Sequence, residues 1–117
     1  QVQAALRAFE LVLLREIGLL PDLSVVTATQ RAVRAGELFV LRPEAGVALA
    51  GSGEPGLPGG VLIGAQAALE HGSMAALRQV CASALPAFKT ALRALLHYHL
   101  GTPTMRTRQV MLELQSL

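Results

Sequence analysis

Residues 87–109, AFKTALRALLHYHLGTPTMRTRQ, decide the predicted fold, because they read as a helix, a break and a second helix. From Leu85 onward, apolar residues recur at three- and four-residue steps, as an amphipathic helix requires. They are Leu85, Phe88, Leu92, Leu95 and Leu96. Gly101 and Pro103 predict the end of this helix, and Thr104 can cap the next one. We expect that second helix to bury Val110, Met111, Leu114 and Leu117.

Basic side chains accompany this helix-break-helix pattern. Lys89, Arg93 and His97 step by four along one face of the first helix. Arg106 and Arg108 lie in the first turn of the second helix, where the helix macrodipole disfavours positive charge. Two interpretations stay open: a surface that binds an anionic partner, or a solvated surface.

Length and composition restrict the function classes. The chain has 117 residues, enough for one domain with one core. Only 15% of its residues are charged and 3% are aromatic, which leaves few polar groups for chemistry. Residues 71–117 hold five basic side chains and one acidic side chain, whereas residues 1–70 hold five and seven. A positive C-terminal part permits binding to a polyanion.

The single cysteine, Cys81, excludes an intramolecular disulfide and a zinc-binding cysteine cluster. A reducing cytosol fits this cysteine usage. The sequence has no run of 18 uninterrupted apolar residues and no secretion signal, so we expect a cytoplasmic protein with no membrane span. Because the helical pattern already starts at Gln1, we also expect the chain to be a fragment of a longer protein.

The N-terminal residues 2–19 predict a largely buried helix that ends near Gly18 and Pro21. Its predicted buried stripe comprises Val2, Leu6, Phe9, Leu13 and Ile17, widened by Leu11 and Leu14. Glu10 can pair with Arg7 or Arg15 beside that stripe. We expect a solvated pair there rather than a functional site.

The middle of the chain predicts a β-hairpin followed by a loop and two helices. Residues 37–41 and 47–50 are short apolar runs around a turn with Pro43 and Gly46. Residues 51–60, GSGEPGLPGG, predict a surface loop without regular structure, and the absence of a GxxxxGK[ST] spacing argues against a phosphate cradle. Helices should follow at 61–70, closed by Gly72, and at 74–84, capped by Ser73, with a kink near Pro86.

No catalytic or metal-binding constellation emerges from these elements. Cys81 lies in an apolar helix, which favours a core position over a nucleophile. His97 and His99 are two residues apart and therefore lie on different sides of a helix, unlike a pair of metal ligands. The predicted fold class is mainly α, a compact helical domain with a small inserted β-hairpin, and no enzyme activity is predicted.

Three ordered stretches resemble the C-terminal region of the RecO family of recombination mediators. They are residues 6–20, LRAFELVLLREIGLL; residues 39–49, FVLRPEAGVAL; and residues 100–108, LGTPTMRTR. The resemblance implies that residues 1–117 form the helical domain of a RecO protein whose N-terminal OB-fold domain is absent from this chain. Some family members carry four zinc-binding cysteines, but the corresponding segments 22–30 and 44–54 hold none here. A zinc-free domain without a cofactor is therefore expected.

The resemblance also implies a nucleoid-associated location and a non-enzymatic role in DNA repair, supporting recombinase loading and strand annealing. The RecO helical domain is understood to capture the acidic, Phe-ended C-terminal tail of single-stranded DNA-binding protein, which needs an apolar pocket beside a cation. Arg7, Leu11 and Leu14 are the candidates for that pocket, because Arg7 and Leu11 are four residues apart on one helix. The alternative is that the two leucines belong to the core and Arg7 is solvated.

Contact with RecR and single-stranded DNA is the second implied role. Its candidate residues are Lys89, Arg93, Arg106 and Arg108. The scarcity of aromatic residues argues for contacts to backbone phosphates rather than base stacking, and we expect only weak DNA binding by this domain alone. The alternative function is a protein-interaction scaffold without direct DNA contact.

Overall fold

The computed structural model describes residues 2–99 and 113–116. Within them, the elements in chain order are α1 (Val2–Glu16), β1 (Leu38–Arg42), β2 (Gly46–Leu49), β3 (Leu57–Pro58), α2 (Gly59–His71), α3 (Met74–Ala82) and α4 (Leu85–His99). Helix α1 packs against α3 and α4, α2 packs against α3, and α4 also contacts β1. The predicted mainly α fold with a small β insertion is confirmed.

The buried face of α1 matches the predicted one only in part. Val2, Phe9 and Ile17 are 74%, 48% and 47% exposed. The buried residues of this helix are instead Ala4, Arg7, Ala8, Glu10, Leu11 and Leu14. Helix α1 has apolar residues on two faces, and the face that contains the two alanines allows α3 and α4 to approach closely and make more dispersion contacts. The predicted positions Val2, Phe9 and Ile17 therefore point away from the core, whereas Leu11 and Leu14 are buried as predicted.

The predicted hairpin is confirmed. Strand β1 pairs antiparallel with β2, so that Phe39 lies opposite Leu49 and Leu41 lies opposite Val47. Gly46 closes the turn with a φ of 74°, and a Cβ on it would lie only 2.3 Å from Thr27 Oγ1. Glycine is needed at this position both for its backbone conformation and for the close approach of Thr27.

The glycine-rich stretch 51–60 was predicted to lack regular structure, and this is wrong for its last four residues. Strand β3 pairs with β1, with Leu57 opposite Phe39, and gives a sheet of order β2-β1-β3. Helix α2 then begins at Gly59. A Cβ on Gly59 would lie 1.9 Å from the carbonyl oxygen of Arg34, so this glycine permits close packing rather than flexibility.

Local capping signals set the boundaries of the C-terminal helices. Gly72, with a φ of 68°, ends α2, as predicted. The Ser73 hydroxyl accepts a hydrogen bond from the Ala76 N–H at 3.2 Å and caps α3. Pro86 lies in the first turn of α4, where a backbone N–H has no acceptor within the helix, so the missing N–H of proline costs no hydrogen bond there. The α4 residues buried in the core are Phe88, Leu92, Leu95 and Leu96, as predicted.

The predicted helix break at 101–104 lies outside the described residues, as do Val110, Met111 and Leu117 of the second helix. Residues 113–115 are helical. Leu114 packs against the core, and the buried Gln115 side chain donates a hydrogen bond to the Leu92 carbonyl at 3.4 Å. This last segment therefore lies against α4.

Candidate partner-binding surfaces

The three residues predicted to border a tail-binding pocket lie inside the core. Arg7 is 1% exposed, and Leu11 and Leu14 are 0% exposed. Side chains enclosed to this degree do not line an open groove. The core alternative for the two leucines matches their position, but Arg7 is buried rather than solvated.

Arg7 forms a buried ion pair, which corrects the expectation of a solvated pair. Its Nε lies 2.7 Å from Glu10 Oε1, and both side chains are 1% exposed. The two groups are in close contact without an aligned hydrogen bond, and neither carboxylate oxygen of Glu10 has a hydrogen-bond donor within the described structure. Arg7 also lies 3.5 Å from the Leu114 carbonyl oxygen through Nη2. The charge of Arg7 is thus directed to internal partners.

Burial raises the pKa of Glu10, because a charged carboxylate is poorly solvated in the core. The positive charges of Arg7, Lys89 and Arg93 act in the opposite direction without overcoming this effect. The Glu10 side chain therefore lies within electrostatic range of the basic side chains of α4.

Two of the four predicted nucleic-acid or partner contacts are described. Lys89 is half-buried and Arg93 is exposed, but Arg93 Nη2 donates a hydrogen bond to the Gln115 carbonyl at 3.1 Å. Arg106 and Arg108 lie outside the described residues. On α4, Arg93 is therefore engaged with residues 113–116, whereas the flexible stem of Lys89 lets its ammonium group reach solvent.

A groove of about 480 Å³ between α4 and the sheet was not predicted. Its α4 wall is made of small residues, including Ala87, Ala91 and Ala94, and its other walls come from β1 and the segment before β3. The complete lining is Phe39, Val40, Leu41, Arg42, Glu54, Pro55, Gly56, Leu57, Pro86, Ala87, Thr90, Ala91 and Ala94. The alanine spacing on α4 is the sequence signal for this groove, but only the position of the sheet reveals it.

A charged pair lies at the rim of the groove. Arg42 Nη2 is 3.0 Å from each carboxylate oxygen of Glu54, and both side chains are partly exposed. Glu54 also accepts a hydrogen bond from the Gly51 N–H at 2.7 Å. This backbone N–H, together with Arg42, holds the pKa of Glu54 below its usual range. The groove therefore combines an apolar lining with a cation, Arg42, that can also pair with an acidic ligand.

The outward face of α1 is a second apolar surface. Val2, Phe9 and Ile17 share it, with the half-buried Leu6 and Leu13 between them. None of the described elements covers this face. It is a convex helix surface rather than a cavity, so it offers area but no enclosed pocket.

The remaining reactive groups do not form a catalytic arrangement in the described part of the chain. Cys81 is fully buried, and burial raises its pKa to about 12, so the thiol stays protonated. Residues 2–99 and 113–116 contain no group of three His, Cys, Asp or Glu side chains that could hold a metal ion. None of the helices in these ranges is long and apolar enough to cross a bilayer.

Comparison with known proteins finds relatives in one group. A protein of Variovorax paradoxus named DNA repair protein RecO is 47% identical over 119 residues, which cover 97% of this chain and 46% of the relative. Proteins of the same name from Acidovorax ebreus and Albidiferax ferrireducens are 44% and 42% identical over 99% of the chain. The chain spans about half the length of the curated relatives it matches. No family model and no solved structure matches the chain.

Proposed function

Because the chain is a RecO-family sequence, matched over nearly all of its length by DNA repair proteins of that name, we propose that it is a non-enzymatic mediator domain. In this role it captures the acidic, Phe-ended C-terminal tail of single-stranded DNA-binding protein. It also contacts RecR and single-stranded DNA, and so supports recombinase loading and strand annealing. The observation that carries this proposal is the apolar groove with Arg42 at its rim.

The groove has the chemistry that an acidic, Phe-ended peptide requires. A phenylalanine side chain gains most of its binding free energy by burying its ring, and the alanine wall of α4 leaves room for one. Arg42 can pair with a carboxylate of the peptide in place of Glu54. Arg7, Leu11 and Leu14 then act indirectly, since they hold α1 against α4, which forms one wall of the groove.

The basic side of α4 supports the proposed contact with nucleic acid or RecR. At 100° per residue, Lys89 and Arg93 lie on the flank of α4 opposite Ala91 and Ala94. One helix can therefore serve the tail on one side and a polyanion on the other. This surface suits contacts to backbone phosphates, and the affinity of such contacts should fall as the salt concentration rises.

A scaffold without DNA contact is the second candidate, and a specific observation favours it. Arg93 donates a hydrogen bond to the Gln115 carbonyl, and the buried Glu10 interacts electrostatically with Lys89 and Arg93. Under this alternative, the two cations stabilise the packing of α1, α4 and the C-terminal segment rather than bind phosphates.

Fluorescence anisotropy with a labelled acidic, Phe-ended peptide tests tail capture. The unmodified domain should show saturable binding, and Ala94→Glu should weaken it at least about tenfold, because the new carboxylate repels the peptide inside the groove. Ala67→Glu is the matched control, since Ala67 is an exposed alanine on α2 outside the groove lining. Absence of binding by the folded unmodified domain would refute tail capture.

A titration with a labelled single-stranded oligonucleotide separates the two candidates. If DNA is a ligand, Lys89→Ala should lower the affinity and reduce the dependence on salt. Arg78→Ala is the control, because it removes an exposed cation from α3 rather than α4. Equal DNA affinity for the three proteins would exclude Lys89 from the contact, and absence of DNA binding by the folded unmodified domain would favour the scaffold.

A further inference from the structure

The groove runs along the edge of a strand rather than over one face of the sheet. Four consecutive β1 residues, Phe39 to Arg42, line it. Side chains of consecutive strand residues point to opposite faces, so only the strand edge brings all four to one groove. On this side of β1, strand β3 pairs only with Leu38 and Phe39. The edge is therefore open from Val40 onward.

The hydrogen bonds of Val47 show which way the Leu41 backbone points. The Thr27 N–H donates to the Val47 carbonyl at 3.0 Å, and the Val47 N–H donates to Thr27 Oγ1 at 2.9 Å, so both Val47 groups point away from β1. In an antiparallel ladder, opposite residues either exchange both bonds or direct both groups outward. Leu41 lies opposite Val47 and must direct its N–H and C=O away from β2, toward the groove.

Nothing in the described structure takes the place of a partner strand at Leu41. Continuing the register of β1 with β3 would bring Pro55 opposite Leu41, but proline has no N–H to donate. No hydrogen bond from the described loops or helices reaches these two Leu41 groups. A main-chain donor and acceptor are thus presented to an apolar groove, where leaving them without a partner costs free energy.

We propose that the groove binds its peptide by strand addition, with the main chain of an extended acidic peptide pairing with β1 at Leu41. This inference rests on the proposed function, because the occupant is the same acidic, Phe-ended tail. A residue of an extended peptide presents the N–H and the C=O that Leu41 requires, whereas a helix has already used its own.

Strand addition also predicts how the side chains of the peptide are distributed. Alternate side chains point to the sheet face of Phe39 and Leu41, which is the buried apolar face. The side chains between them point to the face of Val40 and Arg42, where a carboxylate can meet the Arg42 guanidinium. The favoured peptide therefore has apolar residues at every second position and acidic residues between them.

The test is an N-methyl scan of the labelled peptide against the unmodified domain, read by anisotropy. Each backbone N–H of the peptide is methylated in turn, while its side chains are unchanged. Methylation of the one peptide residue that lies opposite Leu41 should weaken binding about tenfold, through loss of a main-chain hydrogen bond. Methylation at the other positions should change it less than about twofold. In parallel, amide exchange measured by NMR should slow at Leu41 when the unmodified peptide is added.

The outcomes separate this inference from the proposed function. If the unmodified peptide binds and Ala94→Glu abolishes binding, but the scan shows no single sensitive position and Leu41 exchange is unchanged, the groove holds the tail and strand addition is refuted. If the unmodified peptide fails to bind the folded domain, tail capture and strand addition both fail. One sensitive position together with slowed exchange at Leu41 supports both.

Discussion

The buried ion pair between Arg7 and Glu10 makes a sharp prediction about stability. Arg7→Met keeps the length and much of the volume of the side chain but leaves the Glu10 carboxylate in the core without its counter-ion. Breaking a buried pair in this way costs about 3–5 kcal/mol. Since domains of this size are stable by only about 5–15 kcal/mol, the variant should be severely destabilised. Urea unfolding followed by far-UV circular dichroism measures the loss.

A second variant isolates the uncompensated charge as the cause. Replacing both residues, Arg7→Met with Glu10→Leu, removes both charges and fills the site with apolar atoms. Such replacements are often neutral or stabilising, so the double variant should recover most of the stability that the single variant loses. A loss below about 1 kcal/mol for Arg7→Met would contradict the reasoning. So would a double variant no more stable than the single one, since the loss would then come from packing.

Three further predictions follow from individual positions. Because the pKa of Glu10 is raised in the folded state, its contribution to stability is present below its ordinary pKa and is lost as the pH rises through the raised value. In urea unfolding, the unmodified domain should therefore lose stability relative to Glu10→Gln above about pH 4.5. Equal pH dependence of the two proteins would contradict this. In the same assay, Leu11→Ala should lower the free energy of unfolding by about 2–5 kcal/mol, because Leu11 is buried, and Phe9→Ala should lower it by less than about 1 kcal/mol, because Phe9 is half exposed. The reverse order would mean that the opposite face of α1 is buried. Gly46→Ala should destabilise by more than about 1 kcal/mol, because a Cβ meets Thr27 and the φ is positive, and an unchanged melting temperature would refute the close approach.

Local signals in the sequence were sufficient for most of the secondary structure. The hairpin turn around Gly46, the helix end at Gly72 and the cap at Ser73 depend on the backbone chemistry of a few adjacent residues. The apolar periodicity of α4 identified its buried face for the same reason. Such features can be read without knowing which elements are neighbours.

The features that the sequence did not predict depend on neighbours distant along the chain. Helix α1 has two apolar faces, and the packing of α3 and α4 decides which one is buried, together with Arg7 and Glu10. Strand β3 has only two residues and is identified by its pairing with β1. The groove needs the alanines of α4 and the open edge at Leu41 to meet, so residues separated by about half the chain define it.

The most direct test of the central claim is an NMR titration of the ¹⁵N-labelled domain with the acidic, Phe-ended peptide. The groove hypothesis predicts that chemical-shift changes cluster on α4 around Ala87, Ala91 and Ala94 and on the adjacent strand β1. Changes concentrated instead on the outward face of α1, around Phe9, would place the peptide on the other apolar surface. Either that pattern or a spectrum unchanged at saturating peptide would contradict the claim that the groove is the binding site.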